Sequence, residues 1–307
     1  MRIANAPLAD YTRFGLGGPA ALLIDAADPG EFIEEFRSAE DPRIVIGGGT
    51  NLVVADEGFP GTVLRFSGSS VERDGDCLIA MAGADLEVVV TRAVEEGLAG
   101  VESLMRIPGW VGGAVYGNAG AYGQSIHEVV ARVEIFDGQT RCWIANQACA
   151  FGYRTSGFKR RKDWVILAAE FRLRPGDRPA LAARAEEIRA IRDAKFPPTM
   201  KCAGSIFKNC FFRDLPASAQ ARVPPALVRE GKVPSAFFLE QVGAKGMVNG
   251  GIRVADYHAN LIYNAGGGKA SEVVTIIDEL KRRVEEEFGF APEEEVQFVG
   301  FPDRISY

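Results

Sequence analysis

Apolar residues recur along this chain at two different spacings, and the two kinds of block alternate. At helical spacing, Phe32, Ile33 and Phe36 follow Asp28 and Pro29, and Leu86, Val89, Val90, Ala93 and Val94 follow Asp85 and stop at Gly97. Leu181, Ile188 and Ile191 punctuate an Ala/Arg/Glu-rich run from Ala180 to Lys195 that Phe196, Pro197 and Pro198 terminate. Val273, Ile277, Leu280, Val284 and Phe288 follow Ser271 and end at Gly289. Steps of three and four place each set on one helix face. An Asp or Ser ahead of the first turn can accept from an otherwise unpaired amide, so Asp28, Asp85 and Ser271 are the expected caps. Shorter apolar or alternating runs predict strands at Ala20–Ile24, Arg43–Ile46, Val63–Phe66, Cys77–Ala82, Trp164–Leu173 and Val296–Val299. Val133–Phe136 and Thr140–Ile144 flank Asp137-Gly138 as a hairpin. The region from Phe237 to Asn264 reads as short strands and tight turns. With no repeat and no heptad run, the pattern is mixed α/β to α+β.

Composition narrows the function classes. The 307 residues are 47% hydrophobic and 25% charged, enough for two or three compact domains. A net charge of −6 gives nucleic-acid binding no electrostatic support. No apolar run reaches the roughly 20 residues that span a bilayer, and the N-terminal residues lack a basic start and apolar segment. A cytoplasmic protein that engages neither membrane nor nucleic acid is expected. Five scattered cysteines with no Cys-x-x-Cys, and only His127 and His258 beside them, argue against a disulfide framework and against a metal centre.

Two glycine-rich stretches carry the candidate chemistry. Ile107 to Gly123, IPGWVGGAVYGNAGAYG, holds six glycines, a density expected where backbone turns sharply or touches a ligand rather than in a core helix or strand. Gly47, Gly48 and Gly49, with Thr50 and Asn51, follow the strand at Arg43–Ile46. Consecutive amides in such turns can cradle phosphate oxygens. Neither stretch has the spacing of the dinucleotide fingerprint or of the P-loop. Each alone could be a surface loop; as a pair they could grip one ligand from two sides. Lys159 to Lys162 reads as solvated surface, Ser205 as a turn hydroxyl and Glu295 as a solvated strand end.

Seven motifs change that picture. FGLGGPA (Phe14–Ala20), GGGTNLVVAD (Gly47–Asp56), the stretch from Ile107, YRTSGF (Tyr153–Phe158), AGSIFKN (Ala203–Asn209), HANLIYN (His258–Asn264) and EVQFVG (Glu295–Gly300) occur in an order that resembles the UDP-N-acetylmuramate dehydrogenase family, also called UDP-N-acetylenolpyruvoylglucosamine reductase or MurB. The likeness covers nearly the whole chain. It implies an α+β flavin-binding fold of the vanillyl-alcohol-oxidase type. FAD would lie non-covalently between a first subdomain of residues 1–66, joined by 293–307, and a second of 67–199, with residues 200–292 covering the substrate. The space from Tyr153 to Pro198 leaves little room for the tyrosine-bearing loop of the other subtype.

The resemblance also implies the activity. NADPH would reduce FAD, and the reduced flavin would reduce UDP-N-acetylglucosamine enolpyruvate to UDP-N-acetylmuramate, in peptidoglycan precursor synthesis for the cell wall. Arg154 would bind the substrate carboxylate, Glu295 would act beside it as a protonated or proton-sharing carboxyl, and Ser205 would protonate the substrate carbon, with Lys208 a candidate to polarise it. Gly47, Gly48, Gly49, Thr50, Asn51, Leu52, Pro108, Gly109, Gly112, Gly113, Ala114, Asn118, Gly120 and Tyr122 would contact the cofactor. Lys195, Lys208, Asn209 and His258 would contact substrate, and the protein would be a monomer. The sequence departs from the family pattern at Arg106, Trp110, Cys210 and Tyr257, and Trp110, in place of a small hydroxyl residue, bears most on flavin contacts. The alternatives are an FAD-dependent oxidase or dehydrogenase of the same fold acting on another substrate, and a non-catalytic nucleotide-sugar binding protein.

Overall fold

The computed structural model describes residues 1–304, so the last three residues of the expected 293–307 segment lie outside the described residues. The first layer is a four-stranded sheet in the order Arg2–Pro7, Pro19–Ala26, Phe59–Phe66, Arg43–Val45. Its first pair is antiparallel and the others are parallel. Side chains on successive residues take opposite faces. Leu23, Ile44 and Val63 therefore enter one core, while Ala26, Leu64 and Phe66 enter another beneath helix α1 (Pro29–Ser38). Asp28 caps α1 by accepting from the Glu31 amide at 2.9 Å. Beside this sheet, Gln297–Val299 runs parallel to Leu52–Val54, which brings the end of the chain against the first glycine loop.

The second layer is an antiparallel five-stranded sheet, ordered Arg141–Ala145, Val130–Phe136, Val165–Arg172, Cys77–Met81, Val71–Asp74. The expected hairpin forms, and Asp137 closes it by accepting from the Gln139 and Thr140 amides. Helices α2 (Leu86–Glu95) and α3 (Val111–Gly117) pack on this sheet, and α4 (Arg178–Lys195) packs on α2. Phe36 of α1 meets Phe136 edge-on with ring centroids 6.0 Å apart, so the two sheets share one core. Ile191, expected on the buried face of α4, is 46% exposed instead. Helix α3 lies inside the stretch from Ile107, where turns rather than helix are expected. Gly112 permits it, because a Cβ there would sit 2.9 Å from Ala82 Cβ.

A third sheet, ordered Lys201–Ser205, His258–Asn264, Ile252–Ala255, Val248–Asn249, is antiparallel throughout. The short α5 (Ala217–Gln220), then α6 (Ser235–Gln241) and α7 (Ala270–Phe288), complete this part. Phe237 to Val242, read as strand from the sequence, lies mostly within α6; Phe238 and Leu239 are buried there, and Phe238 packs edge-on against Phe288 of α7. Phe14, Leu16, Val53 and Phe298 enter this same core, which ties both ends of the chain to the third sheet. Ser271 is not the N-cap of α7, a position that Lys269 holds. The serine lies within the first turn, where Asp56 accepts from the Ala270 and Ser271 amides at 2.7 and 3.0 Å and from the Ser271 hydroxyl at 2.7 Å.

Candidate functional site

One continuous cleft of about 880 Å³ runs between the three sheets, toward the upper end of the range for small-molecule sites. Its walls hold Gly47 to Leu52 on one side and Pro108, Gly109, Gly112, Gly113 and Ala114 on the other, with Gly120 and Tyr122 farther along. The two glycine stretches touch. A Cβ on Gly48 would lie 3.3 Å from both Gly109 Cα and the Trp110 ring, so a side chain there would push the two loops apart by a few tenths of an ångström. Thr50 fastens the contact by donating to the Pro108 carbonyl at 3.1 Å. Within the first loop, none of the amides of Gly47 through Asn51 donates to a protein acceptor among the described residues. Five unpaired donors in sequence, beside a Gly113 with open space where a Cβ would be, suit a ligand with phosphate oxygens. A dinucleotide such as FAD fits that donor set and a cleft of this volume.

Farther along, a turn from Gly152 to Thr155 carries Arg154 into the cleft. Arg154 has φ +52°, a left-handed conformation that is costly for a residue with a side chain. Neighbours hold the turn in place. Asn118 donates to the Gly152 carbonyl at 2.8 Å, Ser156 to the Tyr116 carbonyl at 2.7 Å, and Lys159 Nζ to the Arg154 carbonyl at 2.9 Å. The guanidinium donates to the Gly120 carbonyl at 2.8 Å and pairs through Nε with Glu295 Oε1 at 2.7 Å. Glu295 itself is placed by its amide, which donates to the Ile206 carbonyl at 2.7 Å, and by Asn51, which donates to its carbonyl at 3.0 Å. Burial raises its carboxyl above the ordinary value despite Arg154, Lys159 and Lys208 nearby.

Ser205 lines the same cleft at the end of Lys201–Ser205, just after Gly204 at φ +77° and an irregularity in the pairing with His258–Asn264. Its hydroxyl makes no hydrogen bond among the described residues. Lys195, Asn209 and His258 also line the cleft. Burial, followed by repulsion from Lys195, drives His258 down to about 4. Burial and the neighbouring Arg192 lower Lys195.

Two expected contacts fall outside the cleft wall. Asn118 is 3% exposed and is consumed as the left-handed end of α3 and as the support of Gly152. Lys208 is paired with Glu293, which leaves Ser205 without the proposed polarising partner. The wall also contains residues that the sequence reading passed over. Arg192 lies one turn before Lys195 on α4, a spacing that could have found it. Lys159 is not solvated surface; it turns inward after the short helical turn Gly157–Lys159, and burial, with Lys208 adding, lowers it to about 8.

Comparison with known proteins agrees with this geometry. A family model described as FAD binding domain matches residues 22–145, and one described as UDP-N-acetylenolpyruvoylglucosamine reductase, C-terminal domain, matches residues 196–299. The reductase of that name from Solibacter usitatus is 53% identical over 300 residues, covering 97% of this chain and 96% of its own. The chain belongs to the UDP-N-acetylenolpyruvoylglucosamine reductase family. The Bacillus subtilis member is 33% identical over 304 residues, with 97% and 94% of the two chains covered. The crystal structure of the Thermus caldophilus reductase superposes with a TM-score of 0.76 at 30% identity, covering 97% of this chain and 98% of that one. The α+β flavin-binding fold expected from the motifs is therefore the fold observed, and the first family model spans both glycine loops.

The departures from the family pattern now have physical settings. Trp110 stacks on the Arg65 guanidinium, 4.5 Å from ring centroid to carbon, and Asp25 holds Arg65 from the other side at 3.1 Å. The indole is thus anchored against the first sheet, and the glycine contact survives it. Arg106, at φ +65°, bridges Glu87 of α2 and Asp193 of α4. Tyr257 donates to the Lys195 carbonyl at 3.0 Å and so joins the third sheet to the end of α4. Cys210 is pushed up to about 12, chiefly by burial, which leaves it an unreactive thiol.

Proposed function

We propose that this chain catalyses the NADPH-dependent, FAD-mediated reduction of UDP-N-acetylglucosamine enolpyruvate to UDP-N-acetylmuramate, a step in peptidoglycan precursor synthesis. The observation that carries the reading is the Arg154–Glu295 pair at 2.7 Å, in the same cleft as Ser205 and the glycine cradle, in a chain that belongs to the reductase family. Residues 1–66 with 293–307, then 67–199, would hold the cofactor, and 200–292 would cover the substrate. The amides of Gly47 to Asn51 would bind the FAD diphosphate. Held there, FAD would supply the two-electron redox chemistry that links NADPH to the enolpyruvyl group.

The protein's own groups supply the rest. Arg154 donates to the substrate carboxylate, where negative charge grows, and a planar permanent cation suits that task. Glu295, its pKa raised by burial, is the carboxyl able to stay protonated beside that charge rather than oppose it. Ser205 hands a proton to the substrate carbon, a role that needs its hydroxyl within hydrogen-bond reach. Lys195, Asn209 and His258 line the region for the nucleotide sugar. The protein works in the cytoplasm as a monomer.

The test is anaerobic. NADPH should bleach the flavin of the purified protein, and the enolpyruvyl nucleotide sugar should restore its colour. Recolouring by oxygen but not by that sugar would favour the oxidase alternative, and protein that never takes up FAD would favour a binding protein.

A further inference from the structure

We infer that Lys159 is a positioning residue for this reaction: it holds Arg154 in its left-handed turn and supplies a second cation to the carboxylate-binding end of the cleft. The inference rests on the proposed reaction. Its first support is geometric. Of the three side chains that fix the turn, Asn118 bonds to the Gly152 carbonyl at its start and Ser156, just after it, ties the chain back to Tyr116, whereas Lys159 bonds to the carbonyl of Arg154 itself. Left-handed backbone at a non-glycine residue is strained and persists only where its surroundings impose it. The ammonium is such a constraint, placed five residues downstream by the turn Gly157–Lys159.

The second support is the company the ammonium keeps. From α3, the Tyr116 ring lies 5.8 Å from Nζ. From the segment after Ser205, Lys208 repels it, and from the end of the chain Glu293 and Glu295 attract it; Lys162, on its own turn, repels it. Lys159 and Arg154 thus put two cations in electrostatic reach of Glu295, where the reaction builds an anion. Half-buried among these groups, Lys159 falls to about 8. The ammonium is charged below that pH and neutral above it, so the charge is lost with rising pH although an N–H can still reach the Arg154 carbonyl. Arginine at the same place would keep its charge throughout this range.

The experiment follows reoxidation of the pre-reduced holoenzyme by the enolpyruvyl nucleotide sugar between about pH 6 and 10, in wild type, Lys159→Arg and Lys159→Met. The wild type should lose rate above about pH 8. Lys159→Arg should move that basic limb to higher pH, and Lys159→Met should abolish it with a loss of roughly tenfold or more at neutral pH. Lys162 and Lys195 are also lowered by burial, so the response to the arginine variant is what assigns the limb. An unmoved limb in Lys159→Arg, or an equal loss at every pH in both variants, would overturn the inference. If the wild type itself is not reoxidised by the sugar at any pH, the proposed reaction fails and takes the inference with it.

Discussion

Arg154 and Glu295 stand far apart in sequence and 2.7 Å apart in the cleft, and most of the residue-scale chemistry turns on that meeting. Replacing Glu295 by Gln keeps the shape but removes the proton-bearing acid, so reoxidation by the enolpyruvyl sugar should fall by about 10²-fold or more while bleaching by NADPH continues. Ser205→Ala should divide the two half-reactions in the same direction, and rapid reoxidation by that variant in stopped-flow absorbance would remove Ser205 from the mechanism. His258 sits half-buried as the neutral ring. The unfolded chain takes up a proton near 6.5 and the folded one only near 4, so acidification across that window should favour unfolding; loss of that pH dependence in His258→Gln melting curves is the check. Motif order exposed Arg154, Ser205 and Glu295 in the sequence. Lys159 was not legible, because a run of four basic residues has the same composition whether it faces water or turns inward. The Lys208–Glu293 pair was hidden too, since both residues look like ordinary surface charge.

At the scale of elements, periodicity was a good guide for α1, α2 and α7 but misplaced Ile191 on the mostly exposed α4. The stripes of α1, α2 and α7 are buried as expected, with Phe32, Val89 and Val284 among their inaccessible residues. It failed where burial was not one-sided. Phe237 to Val242, expected as short strand and turn, carries no polar alternation to tell strand from helix, and its packing against α7 goes with the helix observed. The strand Arg2–Pro7 buries little beyond Ala6 and had no apolar signal to read. The cap of α7 came from Asp56, a residue distant in sequence, which no local rule can find. Although burial opposes it, the Ser271 hydroxyl and two amides hold that carboxyl below its ordinary value. Asp56→Ala should therefore cost about 1–2 kcal/mol in urea unfolding. This stabilisation is present above the unfolded value and is lost as pH falls through the lower folded one, so wild type and variant should converge in strong acid.

The whole molecule is organised around surfaces that no segment owns alone. Phe14, Leu16, Val53 and Phe298 lie in the core of the third sheet, and Gln297–Val299 pairs beside the first glycine loop. FAD bound in the cleft should stabilise all of this together. With free cofactor at about a hundredfold its dissociation constant, the gain is roughly 2.7 kcal/mol. Removing the flavin should therefore lower the melting temperature, and adding it back should restore one cooperative transition in calorimetry. A melting temperature indifferent to FAD would count against the glycine cradle as its site.

The strand Gln297–Val299 has one more consequence, in the order of synthesis. Arg154 and both glycine loops leave the ribosome long before Glu295, which reaches its place only when the strand behind it docks against Leu52–Val54. A chain interrupted before Glu295 would present the cofactor cradle yet lack the acid, so chemical competence follows only once Glu295 and the strand behind it have been translated.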